Sequence, residues 1–247
     1  MISVLIISKN DGDVISNCIK SVKNLADEVI VVDDSDDETG RIAESLGARV
    51  VKNKSQDFAS QRNFAASLAR NKWIFYIDCD ERVTPEFIKE VKETMRAFDS
   101  EEIGGFFIKR KTFYFGRDWG FEDRVQRIFL KEKFKEWKGI VHETPLIDGT
   151  FGDIKEPILH RTHRNLEHMV DKTNEWSEFE ADLRIKAHHP KMRAWRFFRV
   201  MVTAFIKSYF GAKGYKNGTA GLIEAIYQSF SMFITYAKLW EKQHSRE

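Results

Sequence analysis

Four short polar clusters in this chain have residue types and spacings that could do chemistry. Asp78-Cys79-Asp80-Glu81 places two carboxylates two residues apart, directly after the apolar run Trp73–Ile77. Where a strand breaks into a loop, carboxylates so spaced can both turn toward one divalent cation and the phosphates it holds. A hard ion such as Mg²⁺ or Mn²⁺ takes oxygen ligands, keeps positions for substrate phosphate and water, and neutralises charge on a departing phosphate. The alternative is an acidic turn that binds nothing. A second acidic turn, Asp33-Asp34-Ser35-Asp36-Asp37, follows Val29–Val32. A carboxylate there can accept from a base N–H or a ribose hydroxyl, whereas the plainer reading is a solvated loop whose Ser35 or Asp36 caps the next helix. Ser8-Lys9-Asn10 ends the first apolar run, and Arg62 precedes the Asp78 run in a stretch from which its guanidinium could face phosphates. Taken singly, each of these last two reads as surface decoration.

Position unites them. Ile2–Ile7, Val29–Val32, Arg49–Val51 and Trp73–Ile77 are short, β-branched or aromatic, and separated by segments of helical character. This spacing predicts a βαβ series and a parallel sheet. Val14, Cys18, Ile19 and Val22 recur at helical spacing, as do Phe58, Ala65, Leu68 and Ala69. Thr84-Pro85-Glu86 supplies an N-cap, a first-turn proline and an early acid for a helix running to about Phe98. The Ser8, Asp33 and Asp78 clusters then leave the sheet at the carboxyl ends of its strands, where open α/β sheets bind ligands, and Arg62 lies on the helix preceding the Asp78 strand. From Gly104 to His160 the expectation is short, less regular strands (Gly105–Ile108, Val125–Leu130, Ile158–His160) that extend the sheet and shape a second pocket. Beyond Asn165 the pattern is helical, so the expected division is a catalytic domain over 1–164 and a helical extension over 165–247.

The 247 residues carry 40 Lys+Arg against 38 Asp+Glu, a balance that excludes a polybasic nucleic-acid tail or an acidic disordered segment as the main theme. Thirty-two aromatic residues are ample for a core. The near-neutral total hides an asymmetry: residues 1–183 hold 28 basic and 35 acidic side chains, 184–216 hold 9 basic and none acidic, and 217–247 hold 3 of each. Within the basic stretch Trp195, Phe198, Val202, Phe205, Ile206 and Tyr209 share one helical face, opposite Arg193, Arg196 and Lys207, with Arg199 at the margin. A following helix from about Gly218 offers Leu222, Ile226, Phe230, Phe233, Ile234 and Ala237. Such stripes either pack on the catalytic domain or lie on an anionic bilayer surface. The longest uncharged run of the tail, Ala225–Ala237, has thirteen residues, short of the roughly 20 that span a membrane. Cys18 and Cys79 are too few for a disulfide framework, and the apolar start followed by Lys9 is unlike an export signal. The expected location is cytoplasmic, peripheral at the inner face of the membrane.

No G-x-G-x-x-G, Walker loop or G-x-S-x-G occurs, which removes dinucleotide dehydrogenases, P-loop NTPases and α/β-hydrolases. The succession Ser8-Lys9-Asn10, Val32-Asp33-Asp34-Ser35, Gln61-Arg62-Asn63 and Ile77-Asp78-Cys79-Asp80-Glu81 resembles a family 2 glycosyltransferase of GT-A fold. The likeness is to the small bacterial branch that includes lipopolysaccharide inner-core β-glucosyltransferases, and it covers residues 2 to 145 well and the tail loosely.

That resemblance implies a Rossmann-like mixed sheet flanked by helices and an inverting transferase. The donor would be a nucleotide-diphospho-sugar, commonly UDP-linked, and the acceptor a cell-envelope glycolipid or glycan. Carried over, Asp34 meets the uracil, Asp33 and Ser8, Lys9 and Asn10 surround the nucleoside, Arg62 lies near the nucleotide, Asp78 approaches the ribose or metal-bound water, and Asp80 binds the divalent cation (Mg²⁺ or Mn²⁺). Inversion needs a base to take the acceptor's proton. The branch carries a His-Glu pair after a Gly, matched within Gly139 to Glu143, whereas many family members show Glu-Asp at this stage; Glu143 is the candidate, with Asp123 or Glu122 upstream as alternatives and the role of His142 open. A late His completes the cation site in some GT-A enzymes; here His160, His163 and His168 are expected to be solvated, and a zinc site lacks its cysteines and a His pair on one helix face. The rivals are a nucleotidyltransferase acting on a sugar phosphate, which needs a triphosphate loop that Lys9-Asn10-Asp11-Gly12 supplies poorly, and a non-catalytic membrane- or nucleic-acid-binding module built on residues 184–216. No nucleic-acid partner is expected.

Overall fold

The early strands are apolar on both faces, and the sheet they build is covered on both. A computed structural model of the chain describes residues 1–54, 57–98, 102–139, 143–163 and 165–245. β1 (Ile2–Ser8), β2 (Glu28–Asp33), β3 (Arg49–Lys52) and β4 (Trp73–Tyr76) alternate with α1 (Ile15–Val22), α2 (Thr39–Ser45) and α3 (Phe58–Leu68). β1 pairs in parallel with β2 and β4, and β2 with β3. Side chains alternate across a strand. Val4, Ile6, Phe75 and Ile77 therefore join Ile15, Cys18, Ile19 and Val22 of α1 on one side. Leu5, Ile30, Val32, Ile74 and Tyr76 meet Ala59, Ala65 and Ala66 of α3 on the other. Burial on both faces is what makes these strands read as continuous apolar runs.

β5 (Glu81–Arg82) and α4 (Pro85–Arg96) follow. Thr84 caps α4 as expected, its Oγ1 accepting from Phe87 N at 3.1 Å with Pro85 in the first turn; Phe87 and Val91 enter the α1-side core. The sheet then grows by β6 (Ile103–Tyr114), β7 (Arg117–Leu130) and β10 (Thr150–Thr162), giving the order β3-β2-β1-β4-β7-β6-β10-β5. β8 (Phe134–Lys138) and β9 (Thr144–Ile147) form a separate antiparallel pair. This mixed α/β sheet is the one the resemblance implied. The expectation of short strands between 104 and 160 is corrected, since β6, β7 and β10 have 12, 14 and 13 residues. Charged residues that break the apolar pattern find partners on neighbouring strands: Arg124 pairs with Asp153 at 2.5 Å and lies over the Phe107 ring, and Arg110 pairs with Asp123 at 2.5 Å.

Two compact units result: Met1–Thr112 with Glu122–Arg161, and Phe113–Phe121 with Thr162–Glu247. The second contains α5 (Leu166–Lys186), α6 (Ala194–Ile206) and α7 (Gly218–His244). Ala181, Met192 and Leu239 form its small core. Lys242 ties Asp182 at 2.7 Å, and Tyr227 hydrogen-bonds Thr173 and the Met169 carbonyl. A Cβ at Gly221 would lie 1.8 Å from Gly214 O, so glycine is required where α7 meets the turn before it. Among the described residues no helix is long and apolar enough to cross a membrane.

Candidate active site at the strand ends

Because β1, β2 and β4 are parallel neighbours, the loops that follow them leave one edge of the sheet. Ser8 and Asp33 lie opposite each other in register, and Ser8 Oγ donates to Asp33 Oδ1 at 2.9 Å. The same oxygen accepts from Ser35 N and Oγ at 3.2 and 2.5 Å, while Oδ2 pairs with Lys52 Nζ at 2.6 Å. Ser8 and Asp33 are both buried. The side chains of both are engaged in bonds that shape the two loops. Asn10, at φ 55°, donates its N–H to Ser35 Oγ at 2.8 Å and accepts from Asp36 N at 3.0 Å, which stitches the β1 and β2 loops together. Lys9 and Asn10 are exposed, and Asp34 is half-buried. Asp34 is the acid of this loop whose side chain makes no hydrogen bond or ion pair among the described residues.

The loop after β4 is charged rather than neutral. Glu81 turns back to accept from Asp78 N at 2.9 Å and is fully buried. Arg127 of β7, also buried, reaches Asp78 Oδ2 at 2.6 Å and Glu81 at 3.6 Å, and Arg110 of β6 reaches Glu81 at 3.2 Å. Burial works against ionisation of Asp78, yet the guanidiniums of Arg127, Arg62 and Arg110 outweigh it and hold the carboxyl well below the usual carboxylate range. Burial, with the charge of Asp78 beside it, pushes Glu81 the other way.

Arg62 joins this cluster to the candidate base. Its Nη2 lies 3.3 Å from Asp78 Oδ1 and its Nη1 3.2 Å from Glu143 Oε2, and its guanidinium sits 4.8 Å from the centre of the Trp137 ring. Trp137 is fixed in turn by a two-way bond with Asn63: its N–H donates to Asn63 Oδ1 at 2.7 Å, and Asn63 Nδ2 donates to its carbonyl at 2.9 Å. Glu143 is 14% exposed. Asp123 has both carboxylate oxygens engaged by Arg110, at 3.0 and 2.5 Å, and Glu122 is exposed. Ile140, Val141 and His142 lie outside the described residues.

Asp80 occupies a further corner. The antiparallel pairing of β10 with β5 sets His160 opposite Glu81 and lets Arg161 N donate to Asp80 O at 2.8 Å. His160 Nε2 then lies 3.4 Å from Asp80 Oδ2, with its Nδ1 buried and without a hydrogen-bond partner. Among the described residues no three His, Cys, Asp or Glu side chains assemble into a metal cage. A carboxylate and an imidazole side by side fit a cation that takes its remaining ligands from water and substrate oxygens. The expectation that His160 and His163 are solvated is corrected: His160 faces Asp80, and His163 bonds Glu224 at 3.1 Å and stacks on Tyr114. His168 is half-buried in the first turn of α5, a helix capped by Asn165. Both cysteines are buried and free, with their thiols pushed up by burial.

Sequence reasoning missed Arg110 and Arg127, gave Glu81 no role of its own and set His160 aside. Glu81 stood in the motif, and His160 ended an apolar run. The two arginines carried no signal apart from interrupting strand-like stretches, and only the pairing of β4 with β7 brings Arg127 to Asp78.

Residues 3–147 match Glycosyl transferase family 2. An uncharacterized glycosyltransferase of Rickettsia prowazekii (strain Madrid E) is 30% identical over 253 residues, covering 96% of this chain and 86% of that protein. A lipopolysaccharide core biosynthesis glycosyltransferase of Rhizobium meliloti (strain 1021) is 26% identical over 256 residues, covering 98% and 92%. Likeness to solved structures is looser. Mannosyl-3-phosphoglycerate synthase from Rubrobacter xylanophilus aligns with a TM-score of 0.46 and 16% identity over 78% of this chain and 77% of that one. Glucosyl-3-phosphoglycerate synthase from Mycobacterium tuberculosis, in complex with Mn²⁺, UDP and glucosyl-3-phosphoglycerate, gives 0.37 and 25% over 46% and 44%. By family match and near-complete coverage of its relatives, the chain belongs to glycosyl transferase family 2.

Proposed function

We propose that this transferase moves a sugar, with inversion, from a UDP-linked donor to a hydroxyl of a cell-envelope glycolipid or glycan at the inner face of the membrane, within a catalytic domain spanning 1–164. The observation that carries the reading is Arg62, whose one guanidinium bridges Asp78 and Glu143. It links the nucleotide edge of the sheet to an acid on the acceptor side.

In this reading Asp34 accepts from the uracil, Lys9 and Asn10 flank the nucleoside, and Asp78 accepts from the ribose. Arg62 offers its donors to the diphosphate. Asp80, with His160 beside it, would hold Mg²⁺ or Mn²⁺, which supplies neutralisation of the leaving diphosphate. Glu143 takes the proton of the acceptor hydroxyl as the new bond forms, a task for which Asp123 is poorly placed with both oxygens held by Arg110. The bidentate lock on Asp123 supports Glu143 over Asp123. The nucleotidyltransferase reading is disfavoured by the loop that a triphosphate would need. The N–H groups of Lys9, Asn10, Asp11 and Gly12 are already given to Asp11, Ser35, Thr39 and Asp37.

The test is Glu143→Gln. Donor binding should persist while turnover falls by about 10²- to 10⁴-fold, the usual worth of a positioned base. Near-normal turnover removes Glu143 from that role.

A further inference from the structure

Helix α6 leaves its apolar stripe in solvent. Trp195, Phe198, Val202 and Ile206 are 54, 73, 56 and 51% exposed, at steps of three and four residues that align them on one face. The opposite side is the packed one: Val200 is buried, Phe197 meets Phe233 of α7 at 5.9 Å, and Ser229 Oγ donates to Met201 O at 3.0 Å. The stripe continues to Phe210, 59% exposed, in the π-helical turn Lys207–Gly211. α7 adds exposed Leu222, Ile226, Phe230 and Phe233 along one of its own faces.

Charge decides what covers this face. Arg199 borders the stripe, Arg193, Arg196 and Lys207 stand on the other side of the same helical stretch, Lys213 and Lys216 follow it in the chain, and residues 184–216 contain no acid. None of these six makes an ion pair among the described residues. The Arg196 and Arg199 guanidiniums sit 5.0 and 5.5 Å from the centre of the Trp195 ring, so an apolar anchor and its flanking cations are held together. A soluble partner covering such a stripe would have to be both greasy and acidic. A second copy of this chain would set cations against cations.

We infer that the exposed face of α6, extended by Phe210, is a bilayer-docking surface that lays Trp195, Phe198, Val202 and Ile206 into the headgroup boundary of an anionic membrane while Arg199, Lys207 and Lys213 meet its phosphates. It deepens the glycolipid-acceptor reading above and rests on it for its purpose, although its test does not depend on turnover.

The experiment is co-sedimentation of the full chain with phosphatidylglycerol-containing vesicles and with phosphatidylcholine vesicles, at low and high salt. Binding should be confined to the anionic vesicles and weaken with salt. Phe198→Ser and Ile206→Ser should each cost roughly tenfold, and Arg199→Gln, Lys207→Gln and Lys213→Gln about fivefold apiece at low salt. Circular dichroism and Mn²⁺-dependent UDP binding should stay unchanged in all five, because these side chains are exposed and none belongs to the nucleotide edge. Equal binding to neutral vesicles, or binding that ignores the substitutions, overturns the inference. So does an absence of vesicle binding with a self-association that Ile206→Ser abolishes. A chain that binds anionic vesicles through this face but never binds UDP leaves the docking surface standing and removes the transferase assignment of the strand-end residues.

Discussion

The two acidic loops at the ends of β2 and β4 look alike as strings of aspartates and behave in opposite ways. In the first, Asp33 is surrounded by hydroxyls, a backbone N–H and one lysine, and its negative charge is used to knit the β1 and β2 loops together. In the second, Asp78 and Glu81 are surrounded by three guanidiniums from α3, β6 and β7. Neutral donors consume a carboxylate one bond at a time, whereas arginines arriving from separate strands form a network whose members depend on one another. The first loop therefore presents Asp34 on a rigid frame, and the second presents a charged platform with Asp80 and Glu143 at its margins.

The two loops differ most in their dependence on Arg127. Replacing it with Met leaves Asp78 and buried Glu81 short of their principal partner, and the expected loss is about 3–5 kcal/mol of unfolding free energy by urea titration. A loss as small as that of a surface arginine would show that the network is not held from β7. Asp33→Asn should cost less, about 1–3 kcal/mol, because asparagine keeps an oxygen for the hydroxyl and N–H donors and Lys52 also reaches Ser35 O at 2.7 Å. Were it to cost more than Arg127→Met, the contrast between the loops would be reversed.

Acid separates them further. Asp78 lies below the ordinary carboxylate range in the folded chain, so its ionisation favours folding at pH above about 4, and that contribution is lost as pH falls through its depressed value. Asp78→Asn should flatten the fall in urea midpoint between about pH 4 and pH 2. An unaltered slope would mean that other carboxylates carry it. The smallest effect on stability is expected from Asp34→Ala, within about 0.5 kcal/mol, while UDP affinity falls roughly tenfold through loss of one charged acceptor. A stability loss comparable to that of Asp33→Asn would place Asp34 in the frame instead.

The parallel core was legible because burial on both faces produces uninterrupted apolar runs, and Thr84-Pro85-Glu86 announced α4 through capping chemistry that is local in sequence. Legibility ended where partners are distant in sequence. Asp33 and Asp34 are neighbours of one residue type, and only the register of β1 against β2 decides that Asp33 faces Ser8. Arg127 lies 49 residues from Asp78, and Glu143 lies 81 from Arg62. His160 needed the two-residue pairing of β5 with β10 to meet Asp80. The stripe on α6 was visible as a stripe, but whether it faces solvent depends on which side α7 takes.

The proposed cation-dependent nucleotide site at the end of β4 is tested most directly by calorimetric titration of UDP with and without Mn²⁺, in the unaltered chain and in Asp80→Ala. The predicted result is UDP binding that Mn²⁺ strengthens by at least about tenfold in the unaltered chain, with that dependence gone in the variant and its fold retained. UDP binding that is indifferent to Mn²⁺, or a metal dependence that survives Asp80→Ala, would contradict it.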